Sequence, residues 1–393
     1  MDNPAFNFFS PNCLAFGPGK ILTLPEMVSP FGRNMVLVTG KSSFSETEAW
    51  AKLEPELSAK GISLYPVAIA SEPSPEDIDS AVKKNRDNHI DVVVAIGGGS
   101  VLDAGKAIAA MLTQNEGVTT FLEGVGEKEH PGTTLPFIAV PTTSGTGSEA
   151  TKNAVISQPG KSGFKKSLRH NNFIPNIALV DPELTVSCPP SVTAACGMDA
   201  LTQLLEAYVS IQASPLTDAL CENGLKEFGR ALGTSVTIDP KDIKARTRLS
   251  YGAYLSGLAL ANAGLGTVHG FASVIGGMSK MSHGNVCGTL VAETTKATID
   301  LLKKETPGNP ALDKYTKAAR LLECCKPHTS TQAACNSLID SLFGWTQRFN
   351  IPKLGQFEIT RERVKDIAAI TGQKNNPVPL PQSGLVDILL SRL

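Results

Sequence analysis

Residues 91–96 constrain the fold of this chain more than any other feature. They read Asp-Val-Val-Val-Ala-Ile, a short apolar run rich in β-branched residues, and three glycines follow it directly. Such a run predicts a strand buried on both faces, as in a parallel sheet. Residues 101–112 then carry a helical spacing of apolar side chains. The stretch therefore predicts a buried strand, a glycine turn and a helix.

The same alternation recurs through the first half of the chain. Further strands are predicted at residues 35–40, 63–70, 134–140 and 177–180, and further helices at residues 46–54 and 76–85. Pro66 weakens one of these strands, because proline cannot donate to a ladder. Strands that alternate with helices are typical of a doubly wound parallel sheet, so an α/β fold is predicted here.

Strand patterns nearly vanish after about Pro190. Six Ala- and Leu-rich segments follow instead, at residues 191–212, 215–233, 240–262, 284–304, 311–323 and 329–349. They predict an all-α second half. A chain of 393 residues is too long for one ordinary core. We therefore predict two domains, residues 1–187 and residues 188–393, with a ligand cleft beyond the carboxyl ends of the strands.

Composition narrows the class of partner. Hydrophobic residues at 41% and charged residues at 19% are typical of a soluble globular protein. A formal net charge of -1 leaves no basic footprint for nucleic acid or an anionic membrane, so a small molecule is the expected partner. The N-terminal residues lack a signal-peptide pattern, which predicts a cytoplasmic protein. The eight cysteines form no Cys-x-x-Cys pair and are interpreted as reduced thiols, mostly in the core.

Two glycine-rich loops predict a phosphate-binding edge. Gly97-Gly-Gly-Ser100 lies between a predicted strand and a predicted helix, where backbone N–H groups and the helix dipole can hold a pyrophosphate. Alone, a structural turn explains it about as well. The second loop, residues 141–149, is rich in hydroxyl side chains and follows the strand that ends at Val140. Together the two loops favour dinucleotide binding.

The helical half contains a candidate metal site. Asp199 and Gln203 are four residues apart, so in a helix their side chains leave one face a single turn apart. His269 and His283 each stand next to a glycine. A carboxylate and two imidazoles can hold Zn²⁺ or Fe²⁺ with positions left open for catalysis. For these residues alone, a helix cap and two buried structural histidines are the commoner interpretation.

Several long motifs, taken in order, resemble the iron-containing (group III) alcohol dehydrogenases. The similarity extends from Phe16-Gly17 to the helices after His283. The motifs are Gly97-Gly-Gly-Ser-Val-Leu-Asp-Ala-Gly-Lys106, residues 141–151, Asp181-Pro-Glu-Leu-Thr185, Gly197-Met-Asp-Ala-Leu-Thr202 with Glu206-Ala-Tyr-Val-Ser210, and Gly264-Leu-Gly-Thr-Val-His-Gly270.

The resemblance implies a dehydroquinate synthase-like architecture: a dinucleotide-binding α/β domain, a helical metal- and substrate-binding domain, and a dimer or larger homo-oligomer. It implies hydride transfer between a nicotinamide and an alcohol or aldehyde carbon, with Asp199, His269 and His283 as catalytic residues. The implied metal ligands are Asp199, Gln203, His269 and His283. The implied cofactor contacts are Gly97, Gly98, Gly99, Ser100, Asp103, Thr142, Thr143, Thr146, Asn153 and Lys165.

Three positions depart from the family pattern. Gln203 replaces a second ligand histidine, and Ser273 replaces a histidine four residues after His269. Relatives that prefer NAD tend to carry an aspartate after the first strand, where this chain has Gly40-Lys41-Ser42. Without that carboxylate, Lys41 and Ser42 can bind a 2′-phosphate, so Gly40, Lys41 and Ser42 join the predicted cofactor site and NADP(H) is favoured over NAD.

Three functional hypotheses remain open from the sequence. The first is an NADP(H)-dependent alcohol dehydrogenase or aldehyde reductase in which Fe²⁺ or Zn²⁺ polarises the substrate oxygen. The second is a metal-independent reductase of the maleylacetate reductase type acting on an oxoacid, which Gln203 and Ser273 favour. The third is a nucleotide-binding module without turnover.

Overall fold

A six-stranded parallel sheet is the centre of the first half of the protein. The computed structural model describes residues 5–41, 44–158 and 163–393. Within them the strand order of this sheet is β1-β8-β5-β4-β2-β3, and β6 and β7 form a separate antiparallel hairpin. The strands are β1 (Cys13–Phe16), β2 (Asn34–Gly40), β3 (Ser63–Ile69), β4 (Val92–Gly97), β5 (Phe137–Pro141), β6 (Asn153–Gln158), β7 (Phe164–Arg169) and β8 (Ile177–Val180).

Alternate side chains of the central strands enter two different cores. In β4, Val93 and Ala95 belong to one apolar cluster, whereas Val92 and Val94 belong to another. Every residue of β4 is buried, because both faces of the sheet are covered. Pro66 lies in β3 at the edge of the sheet, where a missing N–H leaves no partner unpaired.

Helices on both faces confirm the predicted doubly wound arrangement. The helix after β2 packs in the apolar cluster that contains Val92 and Val94. The helices after β3 and β4 pack in the cluster that contains Val93 and Ala95. The helices of this half are α1 (Leu24–Val28), α2 (Glu48–Ala59), α3 (Pro75–Asn85) and α4 (Gly99–Met111).

The second half is helical throughout the residues that the structure describes, which confirms the predicted all-α architecture. Its helices are α5 (Pro190–Val209), α6 (Pro215–Gly233), α7 (Ile243–Ala263), α8 (Thr267–Met278), α9 (His283–Glu305), α10 (Pro310–Leu321), α11 (Thr331–Arg348), α12 (Arg361–Ile370) and α13 (Gln382–Ser391). Helix α5 contacts α6, α7 and α9 and is buried along most of its length. It therefore carries its polar side chains in the interior.

Two compact units divide the described residues. The sheet unit comprises Phe9–Thr143 and Gly147–Cys188, and the helical unit comprises residues 5–8, Ser144–Thr146 and Pro189–Leu393. In the described part of the chain no single helix is long and apolar enough to cross a membrane, although the bent pair α7 and α8 together passes by length and composition.

The hydrophobic pattern missed some elements. The hairpin β6–β7, the edge strand β1 and the helices α8, α12 and α13 were not predicted, and β5 begins at Phe137 rather than at residue 134. Helix α8 carries Gly270, Gly276 and Gly277, and glycine lowers the helical propensity of a segment. Packing on neighbouring helices compensates for the low helical propensity of α8.

Candidate active site

Four side chains of the helical unit bring one donor atom each to within 4.8 Å of one another. They are Asp199, His269, His283 and Cys287. Asp199 Oδ1 lies 3.2 Å from His269 Nε2 and 3.7 Å from His283 Nε2. Cys287 Sγ lies 3.7 Å from His269 Nε2 and 3.8 Å from His283 Nε2. Three residues predicted to act together therefore do meet, and a thiol joins them.

Close packing between helices creates this cluster. His283 is the first residue of α9, and Cys287 follows one turn later on the same face. Gly284 lies so close to α5 that an added Cβ would overlap the backbone oxygen of Ala195. Only glycine therefore lets the start of α9 approach the turn of α5 that precedes Asp199.

Burial and charge make the cluster suitable for a cation. Asp199 and His269 are buried, whereas the His283 side chain is 31% exposed. Burial alone would raise the pKa of Asp199, but the neighbouring His283 and His269 outweigh it and lower that pKa. Burial likewise opposes the charge on His269, yet Cys287, Asp199 and Glu206 raise its pKa well above 6.5. A divalent cation would take the place of the proton held here.

Glu206 fixes the orientation of His269. Its Oε2 lies 2.7 Å from His269 Nδ1, and its Oε1 accepts the Val268 N–H at 2.6 Å. This arrangement turns His269 Nε2 towards Asp199. Sequence reasoning assigned Glu206 no role, although it stands seven residues after Asp199 and so on the same face of α5.

Replacing Glu206 with glutamine tests this orientation. A glutamine has one acceptor oxygen instead of two and no negative charge, so we expect metal affinity to fall by about 10- to 100-fold. Competition with a metallochromic chelator measures the loss. Glu222→Gln on α6, whose carboxylate accepts from Tyr208 and Lys317, is the matched control and should bind metal like the wild type. Equal affinity in both variants would contradict the assigned role.

Gln203 and Ser273 are held by neighbouring groups. Gln203 Oε1 accepts a hydrogen bond from Ser256 at 2.8 Å, and its Nε2 lies 3.5 Å from the Thr146 carbonyl. The Ser273 hydroxyl donates to the backbone oxygen of His269 at 2.8 Å. A ligand role for Gln203 stays a prediction.

The two glycine-rich loops leave neighbouring strands of the sheet unit. Gly97 ends β4 and is paired with Pro141 at the end of β5. The Thr142 N–H donates to the Gly97 carbonyl at 2.9 Å. The chain runs from β2 outward to β3 but from β4 in the opposite direction to β5. The crevice between β2 and β4 is therefore a topological switch point, where open α/β sheets bind ligands.

The first turn of α4 offers free backbone donors at this edge. Gly98 caps the helix and Gly99 and Ser100 begin it, so their N–H groups have no partner within the helix. A Cβ on Gly97 would lie 2.6 Å from Val101 Cβ, which explains why glycine ends the strand. This geometry suits a phosphate group.

Lys41 follows Gly40 at the carboxyl end of β2, and its side chain is exposed. The position therefore leaves the ammonium group available to an anion. The third residue predicted here, Ser42, lies outside the described residues. The cofactor roles of Gly40, Lys41 and Ser42 remain predictions.

Other predicted cofactor residues hold the second loop in place. Asp103 is partly buried and accepts from Ser148 Oγ at 2.6 Å and from the Val155 N–H at 3.1 Å. Lys165 in β7 forms an ion pair with Glu72. Three more residues that were predicted to contact the cofactor lie in or just after the second loop. Thr143 lies beside Gly98, Thr146 belongs to the helical unit, and Asn153 begins β6.

Lys106 is a structural residue that sequence reasoning missed. It is fully buried in α4, and its ammonium group contacts the backbone oxygens of Ser148, Thr151 and Asn153 at 2.8–2.9 Å. It also lies within 3.2 Å of the Ser148 and Thr151 hydroxyl oxygens. The sequence signal that could have identified this role was a lysine three residues after Asp103, in the first turns of a helix predicted to be apolar.

Comparison with known proteins identifies relatives along the whole chain. Residues 11–182 match the family model described as iron-containing alcohol dehydrogenase, and residues 193–393 match the C-terminal model of the same family. Alcohol dehydrogenase 4 of Saccharomyces cerevisiae (strain YJM789) is 31% identical over 393 residues, covering 97% of each chain. The NAD-dependent methanol dehydrogenase of Bacillus methanolicus is 32% identical, covering 88% of this chain and 87% of that protein.

Solved structures agree with these sequence matches. A 1,3-propanediol oxidoreductase has a TM-score of 0.88 at 26% identity, covering 99% of this chain and all of its own. The matches place the chain in the class of oxidoreductases that act on CH–OH groups. Within that class, the chain belongs to the iron-containing alcohol dehydrogenase family.

Proposed function

We propose that the protein is an NADP(H)-dependent alcohol dehydrogenase and aldehyde reductase that holds one divalent metal, Fe²⁺ or Zn²⁺. Asp199, His269 and His283 would hold the metal, with Gln203 as the further ligand that the family resemblance implies. The meeting of Asp199, His269 and His283 in the helical unit carries the proposal. These residues come from three helices, and their clustering is what a metal site requires.

The spacing of the donor atoms fits a four-coordinate metal. With ordinary zinc–ligand distances, a tetrahedral site separates two nitrogen or oxygen ligands by about 3.3 Å, and nitrogen from sulfur by about 3.6 Å. The four separations that join the two histidine nitrogens to the Asp199 oxygen and the Cys287 sulfur run from 3.2 to 3.8 Å, and all four donor atoms lie within 4.8 Å of one another. When bound, the metal supplies Lewis-acid polarisation of the substrate oxygen.

The chain's own residues supply position and charge. Asp199 contributes the negative charge that a divalent cation needs, and Glu206 keeps the His269 ring in one tautomer. The partly exposed His283 marks the open side of the cluster. In the sheet unit, the start of α4 would bind the pyrophosphate of the dinucleotide, which would present the nicotinamide for hydride transfer.

A cofactor assay with a chelator tests the proposal. Purified protein should oxidise primary alcohols and reduce the matching aldehydes with NADP(H), and a strong chelator should abolish turnover until Fe²⁺ or Zn²⁺ is restored. Full activity after removal of the metal would favour the metal-independent oxoacid reductase instead. The clustered donor set favours the metal-dependent reaction.

Lys41 is proposed to bind the 2′-phosphate of NADP(H). A charge-assisted hydrogen bond contributes about 1.5–3 kcal/mol, so Lys41→Ala should raise KM for NADPH by at least about tenfold. KM for NADH should stay unchanged, because that cofactor lacks the phosphate. Lys52→Ala, an exposed lysine on α2, is the control. An equal loss with both cofactors would contradict this assignment.

Location and assembly complete the proposal. The family resemblance supports a homodimer or larger homo-oligomer that acts on small alcohols or aldehydes, and a cytoplasmic location is part of the proposal.

A further inference from the structure

We propose that the Cys287 thiolate is a protein ligand of the metal in this chain, so that the site is Asp/His/His/Cys and selects Zn²⁺ over Fe²⁺. The inference rests on the proposed function, because it assumes a metal at Asp199. It places the Cys287 sulfur in the ligand position that the family resemblance assigns to Gln203, and it adds a metal preference to that site.

The position of Sγ carries the inference. Cys287 is buried, and its sulfur lies 3.7 and 3.8 Å from the Nε2 atoms of His269 and His283. Both nitrogens also lie near the same oxygen of Asp199. The four atoms lie within 4.8 Å of one another, so a metal placed between the two histidine nitrogens and the Asp199 oxygen would have the Cys287 sulfur within reach.

Gln203 is hydrogen-bonded to groups outside the cluster, which favours sulfur as the fourth donor. Its amide oxygen accepts from the Ser256 hydroxyl at 2.8 Å in the interior of the helical unit. Cys287 needs no rearrangement, since it extends from α9 one turn after His283 and on the same face. The regular helix sets the spacing of these two donors.

Sulfur changes the metal that the site prefers. Thiolate is a soft ligand and suits Zn²⁺, whereas carboxylate and amide oxygens alone suit harder cations. One carboxylate, two imidazoles and one thiolate are all zinc ligands, and zinc can expand from four- to five-coordinate, which would admit the substrate oxygen. Binding displaces the thiol proton to solvent, and no oxidant or reductant is needed.

Cobalt substitution tests the inference without measuring turnover. Co²⁺ bound by a thiolate gives a sulfur-to-metal charge-transfer band in the near ultraviolet, and tetrahedral Co²⁺ gives visible d–d bands whatever the ligands. Wild-type protein loaded with Co²⁺ should show both. Cys287→Ser should keep the d–d bands and lose the charge-transfer band, while Cys221→Ser, a buried cysteine on α6, should keep both.

The outcomes separate this inference from the proposed function. Visible d–d bands in the wild type without a charge-transfer band would overturn sulfur ligation and leave the metal site standing. No cobalt bands at all would overturn both. If Cys287→Ser does not fold, X-ray absorption of the wild-type zinc protein replaces the variant experiment. A zinc–sulfur distance of about 2.3 Å supports the inference, and the absence of sulfur scattering overturns it.

Metal selectivity gives a second readout. Loss of a residue that only orients a metal ligand already costs about 10- to 100-fold in metal affinity, so loss of a direct ligand should cost Zn²⁺ at least about tenfold. The loss for Fe²⁺ should be smaller, because sulfur contributes less to its binding. Equal losses for the two ions would overturn the proposed preference.

Discussion

Asp199→Asn should lower kcat/KM for alcohol oxidation by on the order of 10³-fold, because the variant cannot retain the metal that stabilises charge on the substrate oxygen. Asp199 is the one carboxylate among the four clustered donors, and its Oδ1 lies within 3.7 Å of both imidazole Nε2 atoms. Asparagine keeps the shape of the side chain but removes the negative charge. Steady-state kinetics with saturating NADP⁺ measure the effect, and calorimetry with Zn²⁺ measures the lost affinity.

Asp218→Asn is the matched control for this substitution. Asp218 lies on α6 in the same helical unit and pairs with Lys314 at 2.7 Å, so the substitution changes a carboxylate away from the cluster. The control should keep wild-type turnover and metal content. If Asp199→Asn retained full activity while folded, the metal-dependent reaction would be wrong and the metal-independent reductase would be the better account.

Lys106→Met should destabilise the sheet unit by about 3–5 kcal/mol, because removing one partner of a buried charged network leaves the others unpaired. Burial lowers the pKa of Lys106 to about 8, so the ammonium group keeps its proton at neutral pH. Methionine fills the space but cannot donate to the backbone oxygens of Ser148, Thr151 and Asn153. The free energy of unfolding in urea measures the loss.

The loop that Lys106 holds also contributes to the proposed cofactor site. We therefore expect weaker NADPH binding in any folded fraction of Lys106→Met. Lys83→Met on α3 is a suitable control, because an exposed lysine contributes within about 0.5 kcal/mol. A loss below about 1 kcal/mol in Lys106→Met would contradict the view that this side chain organises the loop.

Periodicity predicted those parts of the fold in which local pattern and tertiary packing agree. Strand β4 is apolar throughout because it is buried on both faces, and α5 and α6 carry long Ala- and Leu-rich runs. Helix α8 was missed because its glycines lower helical propensity. Packing requires glycine at one of these positions, because a Cβ on Gly270 would overlap the backbone oxygen of Gly372. Close approach between segments far apart in sequence has no local signature.

Only those site residues that have a local sequence signal were predicted. Asp199 stood out by its spacing of four residues from Gln203, and the two histidines stood out by their neighbouring glycines. The structure gathers the three side chains. Cys287 was interpreted as a core thiol, since nothing local distinguishes a buried cysteine beside imidazoles from one in an apolar core. Its spacing of four residues from His283 was the signal that could have identified it. Glu206 carried a similar signal relative to Asp199.

Metal analysis of protein purified without chelator tests the central claim most directly. The account predicts about one Zn²⁺ or Fe²⁺ per chain in the wild type and much less than stoichiometric metal in Asp199→Asn. A wild-type protein that is fully active and contains neither metal would contradict it.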